Sequence, residues 1–280
     1  AGQYQQTPIP RGGGIFKDDW WQPYNVPVGG HYEFDDESVI SIIASLDTAF
    51  KEKEENDYTA LTVWAVYDHP KTKQRRVMII DAWRKRLALH GQHVPRLPEE
   101  EPVPGDDAKT NNKRELTYLK RAAPKWGLCE WLTYTCSKRK VRRLIIEDSA
   151  RGHDTANEIQ RLFMNDTWTV VLEPVKGGDK WDRAQAVTDV FTDDMVFAPG
   201  TWVDGGDGGE QTWMWRDWVQ EVILELCSFP RGTHDDYVDS VVQALRYLRR
   251  IGLAIRRSER LLLEREMSLY KKPSLPLYPA

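Results

Sequence analysis

The sequence predicts a mixed α/β (α+β) fold, a mixed sheet that opens with three antiparallel strands and is flanked by helices on both faces. Three observations lead there. Between Val39 and Arg84 three apolar, β-branched runs follow one another across short polar connections, the spacing of an antiparallel meander. A strand–helix–strand order follows over residues 141–175. Amphipathic helical sequence then fills most of the remaining chain.

In chain order, residues 1–37 hold four prolines, several glycines and no sustained period, so they read as a connecting arm. VISIIASLD, from Val39, is nearly continuous in apolar and β-branched residues and reads as a central strand covered on both faces. YTALTVWAVY and RRVMIIDAWR supply the second and third strands. The Pro- and acid-rich LPEEEPVPGDD (97–107) reads as a surface loop. Helix is expected from about Asn112 to Lys138, interrupted at Pro124 because proline cannot donate to the helical ladder.

VRRLIIED (141–148) gives a fourth strand, and a helix starting at an Asp154 N-cap runs to Met164. WTVVLEPV (168–175) is the fifth strand, so the predicted sheet has five. KWDRAQAVTDVF (180–191) reads as one helix, and MVFAPGTWV as a small hairpin turning at Ala-Pro-Gly. TWMWRDWVQEVILELCSF and DDYVDSVVQALRYLRRIG are amphipathic helices, followed by a charged helix over 255–268. The expected organisation is an arm over 1–37, a sheet-and-helix domain over 38–254, and a helix and tail over 255–280.

Composition bounds the function. In 280 residues, 40% are hydrophobic, enough for a core, and no apolar run has the length of a membrane-spanning helix. Three cysteines, Cys129, Cys136 and Cys227, form no C-x-x-C pair, which argues against a disulfide framework or a cysteine zinc site and for a cytosolic setting. The net charge of −4 argues against coating nucleic acid by bulk electrostatics, while leaving room for a local basic patch beside an acidic site. The twelve tryptophans are scattered and read as packing residues.

Carboxylates fall at telling places. Asp47 ends one apolar strand, Glu147 ends another, and Asp235, Asp236 and Asp239 open a helix. Side chains at strand ends project into the crevice where open sheets bind ligands. Carboxylates gathered there repel one another unless a cation neutralises them. An all-oxygen donor set suits Mg²⁺ or Mn²⁺. Each residue alone has a plainer reading: Asp47 as a strand end, Asp235 or Asp236 as an N-cap, with Thr233 and Asp236 resembling a capping box. Helix geometry favours the site, because Asp235 and Asp239 share a face. The stripe Val238, Val241, Val242, Leu245 and Leu248 would press that helix onto the sheet.

The segments SIIASLDTAFKEKEENDYTALTVWAV, RLIIEDSARGHDTANEIQRL, VKGGDKWDRAQAV and THDDYVDSVVQAL carry a resemblance. In that order, across most of residues 39–250, the chain resembles the C-terminal nuclease domain of tailed-phage terminase large subunits. The opening QYQQTPIPRGGGIFKDDWW is similar to the segment leaving that family's ATPase domain. The resemblance implies an RNase H-like fold and a two-metal (Mg²⁺ or Mn²⁺) endonuclease that cuts double-stranded DNA with little sequence preference. Such a cut separates a packaged viral genome from a concatemer.

It further implies metal ligands at Asp47, Glu147 and Asp235, with Asp236, Asp239 and Asp148 as secondary candidates. Lys180 and Arg183, three apart after a Gly-Gly turn, are expected DNA contacts that the resemblance supports, with a solvated helix face as the plainer reading. Arg151, just beyond Glu147, reads equally as a phosphate contact or a structural salt bridge. The implied partners are the portal protein, the small terminase subunit and the terminase ATPase domain. The implied place of action is the cytoplasm of an infected bacterial host, transiently at the procapsid portal. The chain departs from the full-length family in lacking G-x-x-x-x-G-K-[ST], so no ATPase activity is expected of it, and an excised nuclease domain is the preferred reading.

Rival readings stay open. A Holliday-junction resolvase or transposase shares fold and acidic triad, and a non-catalytic module docking on portal or ATPase accounts for the basic residues. SKRKVRR (137–143) and the spaced Arg246, Arg249, Arg250, Arg256 and Arg257 suit either a DNA backbone or a solvated surface. His90 and His93 lack partners at zinc spacing, Asp57 is expected to order its loop, and His234 reads as a turn residue.

Overall fold

The structure, a computed structural model, describes residues 14–26, 38–48, 58–69, 72–162, 168–174, 178–204 and 211–269. Its strands are β1 (Gln22–Asn25), β2 (Val39–Asp47), β3 (Thr59–Asp68), β4 (Arg75–Lys85), β5 (Arg143–Glu147), β6 (Thr169–Glu173), β7 (Val196–Val203) and β8 (Thr212–Trp215). Its α-helices are α1 (Ala108–Ala122), α2 (Leu128–Lys138), α3 (Ala150–Leu162), α4 (Lys180–Gln185), α5 (Thr188–Thr192), α6 (Asp217–Ser228), α7 (Asp236–Arg250) and α8 (Arg257–Leu269).

Nine of the ten residues of β3 are buried, as a continuously apolar strand requires when both faces are covered. It lies at the centre of one mixed sheet in the order β1-β7-β4-β3-β2-β5-β6, with β8 paired to the outer part of β7. β2, β3 and β4 form the expected antiparallel meander. β5 runs parallel to β2 and β6 parallel to β5. Alternation along the strands sorts side chains into two cores. Ile43, Trp64 and Ile79 face a core built with α6 and α7, while Ala44, Leu46, Leu61 and Met78 face one built with α2 and α3. Among the described residues, no helix is long and apolar enough to cross a membrane.

Among the described residues the sheet has eight strands rather than five. The additions come from the arm, from the segment read as a hairpin, and from TWMW, expected to open a helix that begins only at Asp217. β1 lies inside the stretch read as an arm and pairs in parallel with β7. Ile15, Phe16 and Trp21 of the same stretch are buried, with both aromatic rings set edge-on against Phe191. Single large side chains anchor this segment, so it carries no period to read. MVFAPGTWV is one strand, not a hairpin, and its hairpin partner is TWMW rather than its own second half. Pro199 is tolerated because its φ suits an extended chain, and its carbonyl accepts the Arg216 N–H at 3.2 Å.

Helix limits also moved. The helix expected from Asp154 begins at Ala150, where the Ser149 hydroxyl accepts the Gly152 N–H at 3.2 Å, leaving Asp154 in the interior. Residues 180–191 form two short helices, α4 and α5, the first capped by Asp179 accepting from Asp182 N at 2.9 Å. The expected break at Pro124 is present as a 3₁₀ turn, Ala123–Lys125, between α1 and α2.

α7 packs across one face of the sheet, against β2, β3 and β5. Its predicted stripe, Val238, Val241, Val242, Leu245 and Leu248, is buried throughout. A polar seam runs through this apolar contact. The Trp64 indole donates to Thr62 Oγ1 (2.8 Å), the Thr62 and Ser240 hydroxyls meet at 2.7 Å, and Ser240 donates to the Ser45 carbonyl at 2.8 Å. One turn on, the Gln243 amide reaches Ser45 Oγ (3.1 Å) and the carbonyls of Leu46 (3.3 Å) and Ile145 (3.1 Å). Buried hydrogen-bonding groups need specific partners, so the seam fixes the register of α7 against β2 and β5.

Candidate active site: carboxylates gathered at the strand ends

β2 and β5 are parallel neighbours, with Leu46 opposite Ile146, so Asp47 and Glu147 emerge at the same edge of the sheet. The seam holds the first turns of α7 against that edge, bringing Asp236 and Asp239 to it. Gly152 allows α3 to close on the same strand end: a β-carbon there would overlap the Glu147 carbonyl oxygen.

Electrostatics report the convergence. Burial holds the half-buried Asp47 carboxyl well above the usual range, and the negative charges of Asp239, Asp236 and Glu147 add to this while Lys180 opposes it. Two elements, β5 and α7, thus place acidic groups beside the Asp47 carboxyl of β2. Asp239 acts on Asp47 more strongly than any other carboxylate does. Burial also raises Asp239, with Asp235 adding and Lys180 and Arg183 opposing.

Lys180, at the start of α4, sits between these acids. Its Nζ lies 2.6 Å from Asp239 Oδ2 and also bonds Asp235 Oδ2. Burial lowers the Lys180 pKa, but the carboxylates of Asp239 and Asp235 outweigh it and the net shift is upward. An ammonium group therefore stands between two of the acids. Lys180, expected to meet DNA phosphate, here directs its charge at protein carboxylates.

Asp235 occupies the N-cap position of α7, yet its side chain forms no capping bond. Capping is supplied by Glu225 of α6, whose Oε1 accepts the Tyr237 N–H at 2.6 Å. Glu225 Oε2 meets Arg84 Nη1 at 2.5 Å, and the same Nη1 lies 3.5 Å from Asp236 Oδ2. The Arg84 guanidinium also lies 5.1 Å from the ring centres of both Tyr58 and Tyr237. Burial raises the Asp236 carboxyl, with Arg84 opposing and Asp235 adding. Glu225 and Arg84 escaped the sequence reading because a buried acid in VILELC looks like an ordinary helix residue.

The remaining predicted residues divide. Asp148 is exposed and pairs with His153 at 2.8 Å, away from the cluster. Asp235 is the outer member of the set, its side chain about half exposed. Asp239 is the inner one, lining a recess with Glu147 and Arg183. The Arg151 side chain and Asp57 lie outside the described residues. Of the basic patch on α7 and beyond, Arg249 pairs with Asp189 (3.0 Å) and Glu259 (3.1 Å), Arg250 with Glu173 (2.5 Å), and Arg256 with Glu259 (2.9 Å). These arginines are engaged within the chain. His90 lies 3.6 Å from Glu158, and His234 stands edge-on to Tyr58.

The oxygen-only donors Asp47, Glu147, Asp235 and Asp239 suit hard divalent cations, and the Lys180 ammonium marks where positive charge is drawn. Among the described residues, no three Asp, Glu, His or Cys side chains are already disposed as a metal cage. Compared with protein-family models and with curated proteins, the chain matches none.

Proposed function

We propose that this chain is a metal-dependent endonuclease of RNase H-like fold that hydrolyses double-stranded DNA with little sequence preference, as the nuclease of a viral genome-packaging terminase does. The observation that carries the reading is the emergence of Asp47 and Glu147 at one edge of the sheet from the paired strands β2 and β5, with Asp239 of α7 lining the same recess as Glu147. Strand order supports it: the central strands run β4-β3-β2-β5-β6, with the first three in sequence antiparallel and the next two parallel to β2.

When bound, two Mg²⁺ or Mn²⁺ ions supply an activated water and stabilise the leaving oxygen of a phosphodiester. Asp47, Glu147 and Asp239 would hold them, with Asp235 at the outer side. Asp47 and Glu147 keep their spacing because their strands are paired, and α7 brings Asp239 to them through Ser240 and Gln243. The donors address backbone phosphate rather than base edges, which accounts for weak sequence preference. Portal protein, small terminase subunit and an ATPase domain belong to this reading as partners, and the cytoplasm of an infected bacterium as its setting.

The test is cleavage of linear duplex DNA with Mg²⁺ or Mn²⁺, using wild type, Asp47→Asn, Glu147→Gln and Asp239→Asn. The wild type should cut and EDTA should stop it. Each variant should lose at least about a hundredfold in rate, the order expected when electrostatic stabilisation at the reacting phosphate is removed. A wild-type protein inert on linear duplex with both ions, or an Asp47→Asn variant cutting at the wild-type rate, would overturn the reading.

A further inference from the structure

β4 ends at the same edge of the sheet as the carboxylates. Asp47 pairs across with Ala60, and Ala60 with Arg84, so the three stand in one row. Two inter-strand spacings separate the backbones of Asp47 and Arg84 by about 10 Å. The chain there reads Arg84-Lys85-Arg86, three consecutive cations whose side chains alternate between the two faces. Arg84 is neutralised on the α6 and α7 side by Glu225 and Asp236. Lys85 and Arg86 are not. Neither side chain enters an ion pair or a hydrogen bond among the described residues.

Each of these two is laid on an aromatic ring instead. Lys85 Nζ lies 4.2 Å from the ring centre of Trp131 on α2, and the Arg86 guanidinium 4.2 Å from that of Tyr58. The rings are themselves held. Trp131 packs on Trp83 and Trp126, with centres 6.1 and 5.1 Å away, and Tyr58 meets His234 edge-on at 5.6 Å. Glu130, beside Trp131 in sequence, is committed elsewhere, its Oε2 accepting the N–H groups of Gly91 (3.0 Å) and Gly127 (2.9 Å). A ring attracts a cation without cancelling its charge. It therefore fixes the head group and leaves its N–H donors for an anion. Arg86 is exposed; Lys85 is half-buried, and burial lowers its pKa, the direction expected of an ammonium group without a counter-ion.

We propose that the end of β4 is a nucleic-acid contact, in which Lys85 and Arg86, one on each face of the sheet, bind backbone phosphates of a duplex lying across the strand ends. The inference rests on the nuclease reading for its ligand and adds a direction to it. Arg183 lines its recess with Glu147 of β5 and Glu173 of β6, on the other side of Asp47 from β4. A duplex held on the β4 side as well runs across the edge of the sheet, at right angles to the strands. The stacked guanidinium of Arg86 is pre-organised for phosphate oxygens, and the Lys85 ammonium acts as a point charge. Contacts to phosphate position the duplex without reading its bases.

The test measures binding without chemistry. Fluorescence anisotropy of two labelled duplexes of unrelated sequence is recorded in EDTA across a salt series for the wild type, Lys85→Gln, Arg86→Gln and the double variant. Arg142→Gln, exposed and just before β5 at the opposite edge of the sheet, is the control. Each single variant should weaken both duplexes about tenfold and reduce the salt slope by about one, and the double variant by about two, while the control changes little. Lys85→Arg and Arg86→Lys keep the charge and should keep the slope. Tyr58→Leu leaves the Arg86 charge but removes its support, so affinity should fall with the slope unchanged. Circular dichroism and Tm report the fold.

A folded double variant that binds duplex with wild-type affinity and salt slope overturns the contact, leaving an acidic protein surface as the partner of the strand end. A wild type that binds no duplex even at low salt overturns it too. If the wild type cleaves nothing but the variants lose duplex binding, the nuclease reading fails and the contact stands. If the wild type cleaves and the double variant binds undiminished, the contact fails and the nuclease reading stands.

Discussion

The carboxylate of Glu225 accepts the backbone N–H of Tyr237 at 2.6 Å, so the first turn of α7 is capped from α6 rather than by the aspartate at its own N-cap. Helix N-termini leave N–H groups without helical partners, and a carboxylate answers both those donors and the positive end of the helix dipole. Because Glu225 does this work, the Asp235 carboxylate turns to Lys180 instead. A residue outside the cluster thereby decides which acids can belong to it.

Glu225→Gln should change how stability depends on pH. Burial raises the Glu225 carboxyl from 4.5 to about 7, overcoming the opposing Tyr237 N–H and Arg84 charge. The fold therefore favours the protonated form. Its contribution is complete below the unfolded value of 4.5 and is lost as pH rises through about 7. Relative to Glu225→Gln, the wild type should lose roughly 3 kcal/mol across that window, from the free-energy equivalent of such a shift. Urea denaturation at several pH values measures it. Parallel stability profiles for the two proteins would rule the assignment out.

Lys180→Ala removes the cation between Asp235 and Asp239. With Asp235 about half exposed, solvent screens much of the pair, so the metal-free protein should lose only about 1 kcal/mol. Mn²⁺ should then raise the Tm of Lys180→Ala more than that of the wild type, because the cation enters without displacing an ammonium group. Differential scanning calorimetry with and without Mn²⁺ decides this. An equal shift in both proteins would mean that Lys180 and the ion do not share a place.

The sequence made the central sheet legible because its strands are uniformly apolar, and it located Asp47 and Glu147 because each follows such a run. The stripe of α7 was legible for the same reason: Val238, Val241, Val242, Leu245 and Leu248 repeat at helical spacing. What escaped depends on partners remote in sequence. β1 is held by pairing with a strand more than 170 residues away, and Glu225 meets an amide on another helix. The ranking of Asp235 over Asp239 followed the resemblance, whereas depth in the fold favours Asp239, one helical turn further on. The short α4 and α5 lack the length over which periodicity can be read.

Gln243 offers the sharpest separation of fold from site. Its two amide hydrogens are shared among Ser45 Oγ, the Leu46 carbonyl and the Ile145 carbonyl, at 3.1, 3.3 and 3.1 Å. It therefore ties α7 to both strands whose ends carry Asp47 and Glu147. Gln243→Leu should cost about 1–3 kcal/mol in urea denaturation, the range for removing a buried hydrogen-bond partner. It should also weaken Mn²⁺ by about tenfold, the effect typical of losing a group that orients metal ligands. Thr62→Val cuts the seam on the β3 side, where Thr62 meets Ser240 and Trp64, and should lower stability while leaving Mn²⁺ affinity near wild type. If both variants lose stability and both retain Mn²⁺ affinity, Gln243 serves packing alone, and the spacing of the two strand-end carboxylates is set by strand pairing without help from α7.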